Sequence, residues 1–166
     1  MKKNFFRIIC GMALVVIGLC GCSNDGADDT QLQVRNVAST GCKSSSVYAE
    51  VVIRGENPYK EYLEYKAVGN GFLSLKHVNA LFNCAPGELN MQATISGNVI
   101  KILETEQQSL ANCICPYDLS CEVGPLTNGD YVVIMCRGSY DYEQARFIIA
   151  YSAGLDGRID FTSFGT

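Results

Sequence analysis

The sequence predicts an all-β protein built as an antiparallel sandwich, and three observations predict it. Apolar and polar residues alternate over short stretches, most regularly where Leu89, Met91, Ala93 and Ile95 interleave with Asn90, Gln92 and Thr94. That is the period of a strand with one buried face. Glycine-centred turns separate most of the stretches. No convincing helical period follows the first twenty residues: Asn57-Pro58 ahead of residues 59–63 offers a cap for one short helix, but a strand pairs better there. Short strands at this spacing, with no helices between them, pack as two layers or close as a barrel.

The beginning of the chain stands apart from that fold. Lys2, Lys3 and Arg7 precede an apolar run over residues 8–19. The run has the length of a signal-peptide core and falls short of the ~20 residues a membrane-spanning helix needs. It ends in Leu19-Cys20-Gly21-Cys22, which resembles the bacterial lipobox. The resemblance implies that residues 1–21 are a lipoprotein signal peptide and that Cys22 carries the lipid anchor. Residues 22–33, with acidic Asp25, Asp28 and Asp29, read as a flexible tether that cannot bury a core. The acidic cluster resembles the export signal of Bacteroidetes surface lipoproteins. An outer-membrane lipoprotein, at the cell surface or on the periplasmic face, is therefore expected, with the β-domain over residues 34–166.

The strands follow in order. The first is expected over residues 47–54. The next two, over residues 60–68 and 72–82, form a hairpin across the three-residue loop Gly69-Asn70-Gly71. Its register sets Tyr65 opposite Leu75 and Glu64 opposite Lys76, a favourable cross-strand charge pair. The second strand changes phase: Leu73 and Leu75 are apolar on one face, Val78, Ala80 and Phe82 on the other. Either both faces are covered there or a bulge near Lys76-His77 resets the register. A second hairpin turns at Gly97-Asn98, setting Ile95 opposite Ile100 and Ala93 opposite Ile102. Further strands are expected over residues 119–123, 131–137, 146–152 and 158–164.

Leu126-Thr127-Asn128-Gly129-Asp130-Tyr131 leads into Val132-Val133-Ile134. This segment resembles the tyrosine corner of immunoglobulin-like and fibronectin-like domains, which implies an Ig-like sandwich with the Tyr131 hydroxyl bonded to backbone upstream. The chain departs from true immunoglobulin domains in having no Trp and no Cys two residues after Tyr131.

Charge narrows the partners. The formal net charge is −4, and removal of residues 1–21 takes three basic residues and no acidic ones. No basic cluster remains, so neither nucleic acid nor an anionic lipid surface is an expected partner. Beyond Cys22 there are six cysteines, Cys42, Cys84, Cys113, Cys115, Cys121 and Cys136, and an even count in an exported chain favours disulfides. Cys84 is expected to pair with Cys113 or Cys115, whose side chains alternate if the segment is extended. The remaining one must find Cys42, Cys121 or Cys136 or stay reduced. Cys121 and Cys136 also suit apolar core positions.

His77-Val78-Asn79, Phe82-Asn83-Cys84 and Cys113-Ile114-Cys115-Pro116-Tyr117-Asp118-Leu119 together resemble an uncharacterised group of Bacteroidetes lipoproteins, and the resemblance implies no activity. Cys84, Cys113, Cys115 and His77 are suitable types for zinc, but C-x-C places its thiols on opposite faces of a strand and an exported chain favours oxidation. No metal or other cofactor is expected. His77 is the only histidine and shares a face with Leu63, Tyr65 and Leu75, so it reads as a hydrogen-bonded core residue, with Asn79 a candidate partner. Asp118, Asp141, Asp160 and Glu104 each sit beside polar or turn residues and read as solvated surface.

Tyr140 and Tyr142 fall in an expected loop, where aromatic side chains can meet a glycan or a protein. The function expected is therefore a lipid-anchored, non-catalytic binding or structural module with an extracellular ligand. Two other classes stay open: a small hydrolase or metal-dependent enzyme using His77 with the Cys84, Cys113 and Cys115 patch, and an inhibitor or accessory subunit of a surface complex. A sealed His77 beside exposed loop tyrosines would favour the binder; a solvent-open cavity holding His77 would favour the enzyme.

Overall fold

The computed structural model describes residues 30–43, 59–107, 111 and 113–161. The signal peptide, Cys22, the strand expected over residues 47–54 and the last residues of the final expected strand lie outside the described residues. Ten strands are described: β1 (Thr30–Gln31), β2 (Gln33–Ser39), β3 (Tyr62–Ala67), β4 (Leu73–Asn83), β5 (Leu89–Ser96), β6 (Val99–Glu106), β7 (Ile114–Gly124), β8 (Gly129–Arg137), β9 (Tyr142–Tyr151) and β10 (Asp156–Asp160). There is no helix among the described residues, and none that could cross a membrane.

The strands form two five-stranded sheets that pack as a sandwich. Sheet I runs β1-β5-β6-β8-β9 and sheet II runs β10-β3-β4-β7-β2. Every neighbouring pair is antiparallel except β6 and β8, which are parallel. The sheets are thus the antiparallel-dominated sandwich expected from the sequence, with one parallel pair. The chain leaves sheet I after β6, runs back as β7 in sheet II, and re-enters sheet I as β8 in the original direction.

Both hairpins form in the expected register, with Tyr65 opposite Leu75, Glu64 opposite Lys76, Ile95 opposite Ile100 and Ala93 opposite Ile102. Asn70 takes a positive φ of 53° between two positive-φ glycines, as a short reversing loop requires. The phase change of β4 is a bulge, placed between His77 and Ala80, with Asn79 at φ 62°. It turns the chain so that Leu73, Leu75 and His77 before it, and Ala80 and Phe82 after it, all lie buried.

Fully buried side chains from both layers fill the interior: Leu63, Leu75 and Leu119 from sheet II, Ile100, Ile102 and Met135 from sheet I. Each such residue contributes about 1.5–3 kcal/mol of hydrophobic stabilisation. Gly157 lies across from Tyr65 on the neighbouring strand, and a Cβ there would meet the tyrosine ring at 2.5 Å. The absence of a side chain lets that ring lie flat and stack on Phe147 of the opposite sheet, at 5.8 Å between centroids. At the tyrosine corner the Tyr131 hydroxyl donates to the Thr127 carbonyl at 3.0 Å.

The sheet begins earlier than the tether boundary expected at residue 33. Thr30 and Gln31 pair with Ile95 and Thr94, and Leu32 is buried between the layers. Strand β7 likewise starts at Ile114 and β9 at Tyr142, ahead of the expected positions 119 and 146.

Two disulfides close the same region of the sandwich. Cys84 pairs with Cys113 and Cys42 with Cys115. Cys121 and Cys136 are reduced and buried. A chain with two disulfides belongs to a non-reducing, extracytoplasmic environment.

Candidate functional site

Two features carry polar chemistry that a plain sandwich does not need, and they adjoin. The first is a charged cluster between the sheets. β4 brings in His77, β6 brings Glu104, the last residue of β8 is Arg137, and Glu61 stands just ahead of β3. His77 Nδ1 lies 2.7 Å from Glu104 Oε1. Its Nε2 lies 3.0 Å from Glu61 Oε1, an ionic contact whose angle falls short of a hydrogen bond. Arg137 Nη2 donates to Glu61 Oε1 at 2.6 Å and approaches Glu104 Oε2 at 3.6 Å. His77 and Glu104 have no exposed surface. The Phe161 ring packs 4.6 Å from the imidazole, and the Arg137 guanidinium lies 4.9 Å over the Phe82 ring.

Burial alone would push the His77 pKa down, because desolvation penalises the cation. The charge and hydrogen bond of Glu104, with the contact to Glu61, outweigh it and raise the pKa to about 9. For Glu61, desolvation works upward, but His77 and Arg137 prevail and hold its carboxyl below the usual range. His77 and Arg137 thus lie against the carboxyl groups of Glu61 and Glu104 within one cluster. Buried charge of this kind is tolerated only when paired.

Sequence reasoning placed His77 correctly in the core and missed its partners. Glu104, read as solvated, is fully buried. The missed signal is the alternation of β6: Ile100, Ile102 and Glu104 share one face, as Tyr131, Val133, Met135 and Arg137 do in β8. The register then sets Glu104 beside Arg137. Asn79 is not the partner of His77, because the bulge intervenes. Its side chain bonds the Lys60 carbonyl and Lys43 instead. Of the other carboxylates read as surface, Asp118 is partly covered and paired with Lys43, and Asp141 is paired with Lys101.

The second feature is the tip of the β8–β9 hairpin. Tyr140 and Tyr142 are 83% and 66% exposed and meet edge to face, with centroids 6.2 Å apart. Gly138 and Asp141 both take positive φ, 77° and 54°. Asp141 N donates to the Gly138 carbonyl at 3.2 Å, and Gly138 N donates to the Glu104 carbonyl at 2.9 Å. An ion pair from Lys101 fixes Asp141. A non-glycine residue in that conformation is held there by its surroundings. The tip thus rests on the same Glu104 and Arg137 that close the buried cluster.

The cysteines do not join either feature. Cys84, Cys113 and Cys115 are consumed in disulfides, and burial and nearby carboxylates push the Cys121 thiol up to about 12. Among the described residues no group of three or more His, Cys, Asp or Glu side chains is arranged to hold a metal ion. A groove of about 660 Å³ on the outer face of sheet II, lined by Glu64, Lys66, Lys76 and Arg158 among others, is the solvated side of that sheet and was not singled out from the sequence. No protein family, no curated protein and no solved structure matches the chain.

Proposed function

We propose that the protein is a lipid-anchored extracytoplasmic binding module, held at the outer membrane through Cys22 and meeting its ligand, an extracellular glycan or protein, with Tyr140 and Tyr142. The observation that carries this reading is the pairing of a sealed His77 with two exposed tyrosines on a tip of defined shape. Aromatic side chains that lose little freedom on binding are what recognition surfaces use. Here the backbone below them is fixed by Lys101, Gly138 and Glu104. The histidine the enzyme reading requires is buried, and its cysteines are oxidised. The lipobox around Cys22, the acidic run after it and the likeness to Bacteroidetes lipoproteins support a place at the outer membrane.

A glycan array and an affinity capture from extracellular material, run with the wild type and with Tyr140→Ala/Tyr142→Ala, test the reading. Retention of a ligand by the wild type and its loss by the double variant is the expected result. Equal retention by both, or no ligand for the wild type in either format, overturns it.

A further inference from the structure

We propose that Lys43 and Asn79 join in an intramolecular isopeptide bond, with Asp118 carrying the proton. Three side chains from three parts of the chain converge outside the buried cluster. Lys43 Nζ lies 2.8 Å from Asn79 Oδ1 and contacts Asp118 Oδ1. That same Asp118 oxygen accepts a hydrogen bond from the Asn79 backbone N at 3.1 Å. A primary amine, a carboxamide and a carboxylate are the nucleophile, electrophile and proton carrier that amide exchange needs.

The backbone holds each group in place. Lys43 follows Cys42, which is bonded to Cys115 of β7, and Lys43 N donates to the Pro116 carbonyl at 3.1 Å. Thr40 N donates to the Asp118 carbonyl at 2.9 Å, and Asp118 N donates to Thr40 Oγ1 at 2.9 Å. Asn79 sits on the β4 bulge at φ 62°, and its Nδ2 donates to the Lys60 carbonyl at 2.8 Å. That bond turns the amide so that its oxygen faces the amine and its nitrogen faces away. The Asp118 and Lys43 side chains are only 16% and 30% exposed. Groups held this way react with effective concentrations far above those of free solutes.

In the step itself, the Asp118 carboxylate takes a proton from the Lys43 ammonium. The freed lone pair on Nζ forms a bond to Cγ of Asn79, and the carbonyl π electrons move to Oδ1. Collapse of this intermediate breaks the Cγ–Nδ2 bond as Asp118 returns its proton to the departing nitrogen. The regenerated carboxylate takes the remaining extra proton from Nζ and releases it to solvent, leaving a neutral amide. One amide replaces another, ammonia leaves, and no oxidant or reductant is required. The new bond ties the Lys43 segment to β4 beside the Cys42–Cys115 disulfide and survives thiol reduction.

Peptide mapping of the exported full chain, reduced, alkylated and digested with trypsin, tests the bond directly. The expected product is a branched peptide joining the Lys43 and Asn79 segments, lighter than their sum by one ammonia, with no cleavage after Lys43. In Asp118→Ala the branch falls to a trace. Unlinked peptides in the wild type overturn the proposal, as does a branch to Asp118 that has lost water instead. A folded Asp118→Ala protein that still crosslinks overturns the role of Asp118. If that variant does not fold, the wild-type map still distinguishes a chain joined at Lys43 and Asn79 from an unlinked one.

Discussion

Replacing His77 by Gln keeps a hydrogen-bonding side chain of similar size and removes the ability to carry charge. In the folded protein His77 titrates near pH 9, against an ordinary value of 6.5. A folded-state pKa above the unfolded one stabilises the protein fully below about pH 6.5, and that stabilisation disappears as the pH rises through 9. The difference between the two values corresponds to about 3 kcal/mol. The glutamine amide can still donate to Glu104, which restores part of it, so the net loss near pH 6 should be about 1–3 kcal/mol. Urea titrations of the oxidised wild type and His77→Gln, at pH 6, 7.5 and 9, would read both numbers. The wild type should lose its advantage as the pH rises, while the variant changes less over the same span. A gap that stays constant from pH 6 to 9, or a variant equal to the wild type at pH 6, would refute the charged-histidine account.

The other predictions concern separate parts of the molecule. Cys84→Ser opens a disulfide with a sequence separation of 29, and Cys42→Ser one with a separation of 73. Chain entropy gives ~3–4 kcal/mol for the first and slightly above ~4 kcal/mol for the second. These are isolated-loop values; because the proposed Lys43–Asn79 bond and the Cys84–Cys113 pair already close most of the longer loop, denaturation should show a loss for Cys42→Ser well below its isolated-loop value, and a non-reducing peptide map of the wild type should recover both pairs. Tyr131→Phe removes the corner hydrogen bond to Thr127, and thermal melts should show a loss of about 0.5–1.5 kcal/mol; an unchanged midpoint would mean that the corner is idle. Cys22→Ala should end palmitate labelling of the chain, and continued labelling would contradict the lipobox reading.

The parts of the fold that were legible in the sequence are those set by neighbouring residues. The loop Gly69-Asn70-Gly71 and the turn Gly97-Asn98 each specify a reversal, and the alternation on either side then sets the register. Tyr131 lies four residues from its acceptor. Cys84 could reach only one of two alternating thiols. What was not legible depends on contacts between distant segments. The parallel pairing of β6 with β8 follows from β7 crossing to the other sheet, and no local pattern records that crossing. Thr30–Gln31 look like tether until β5 supplies their partner. Pro116 is a residue that the interior of a sheet rarely holds, and yet β7 already pairs across it with Leu81 of β4. Glu104 shows the same limit at the site. Its charge argued for solvent while its place in the alternation argued for the core, and only the arrival of His77 and Arg137 from other strands resolves the conflict.

The central claim is that the exposed tyrosine tip, and not the buried histidine, meets the ligand. Titration of a ligand recovered by the wild type against Tyr140→Ala, Tyr142→Ala, the double variant and His77→Gln tests it most directly, at pH 7 and with folding verified for each protein. The account predicts at least a roughly tenfold rise in Kd for the double variant, equivalent to about 1.4 kcal/mol, while folded His77→Gln stays close to the wild type. A double variant that binds like the wild type, with affinity lost in folded His77→Gln, would contradict it.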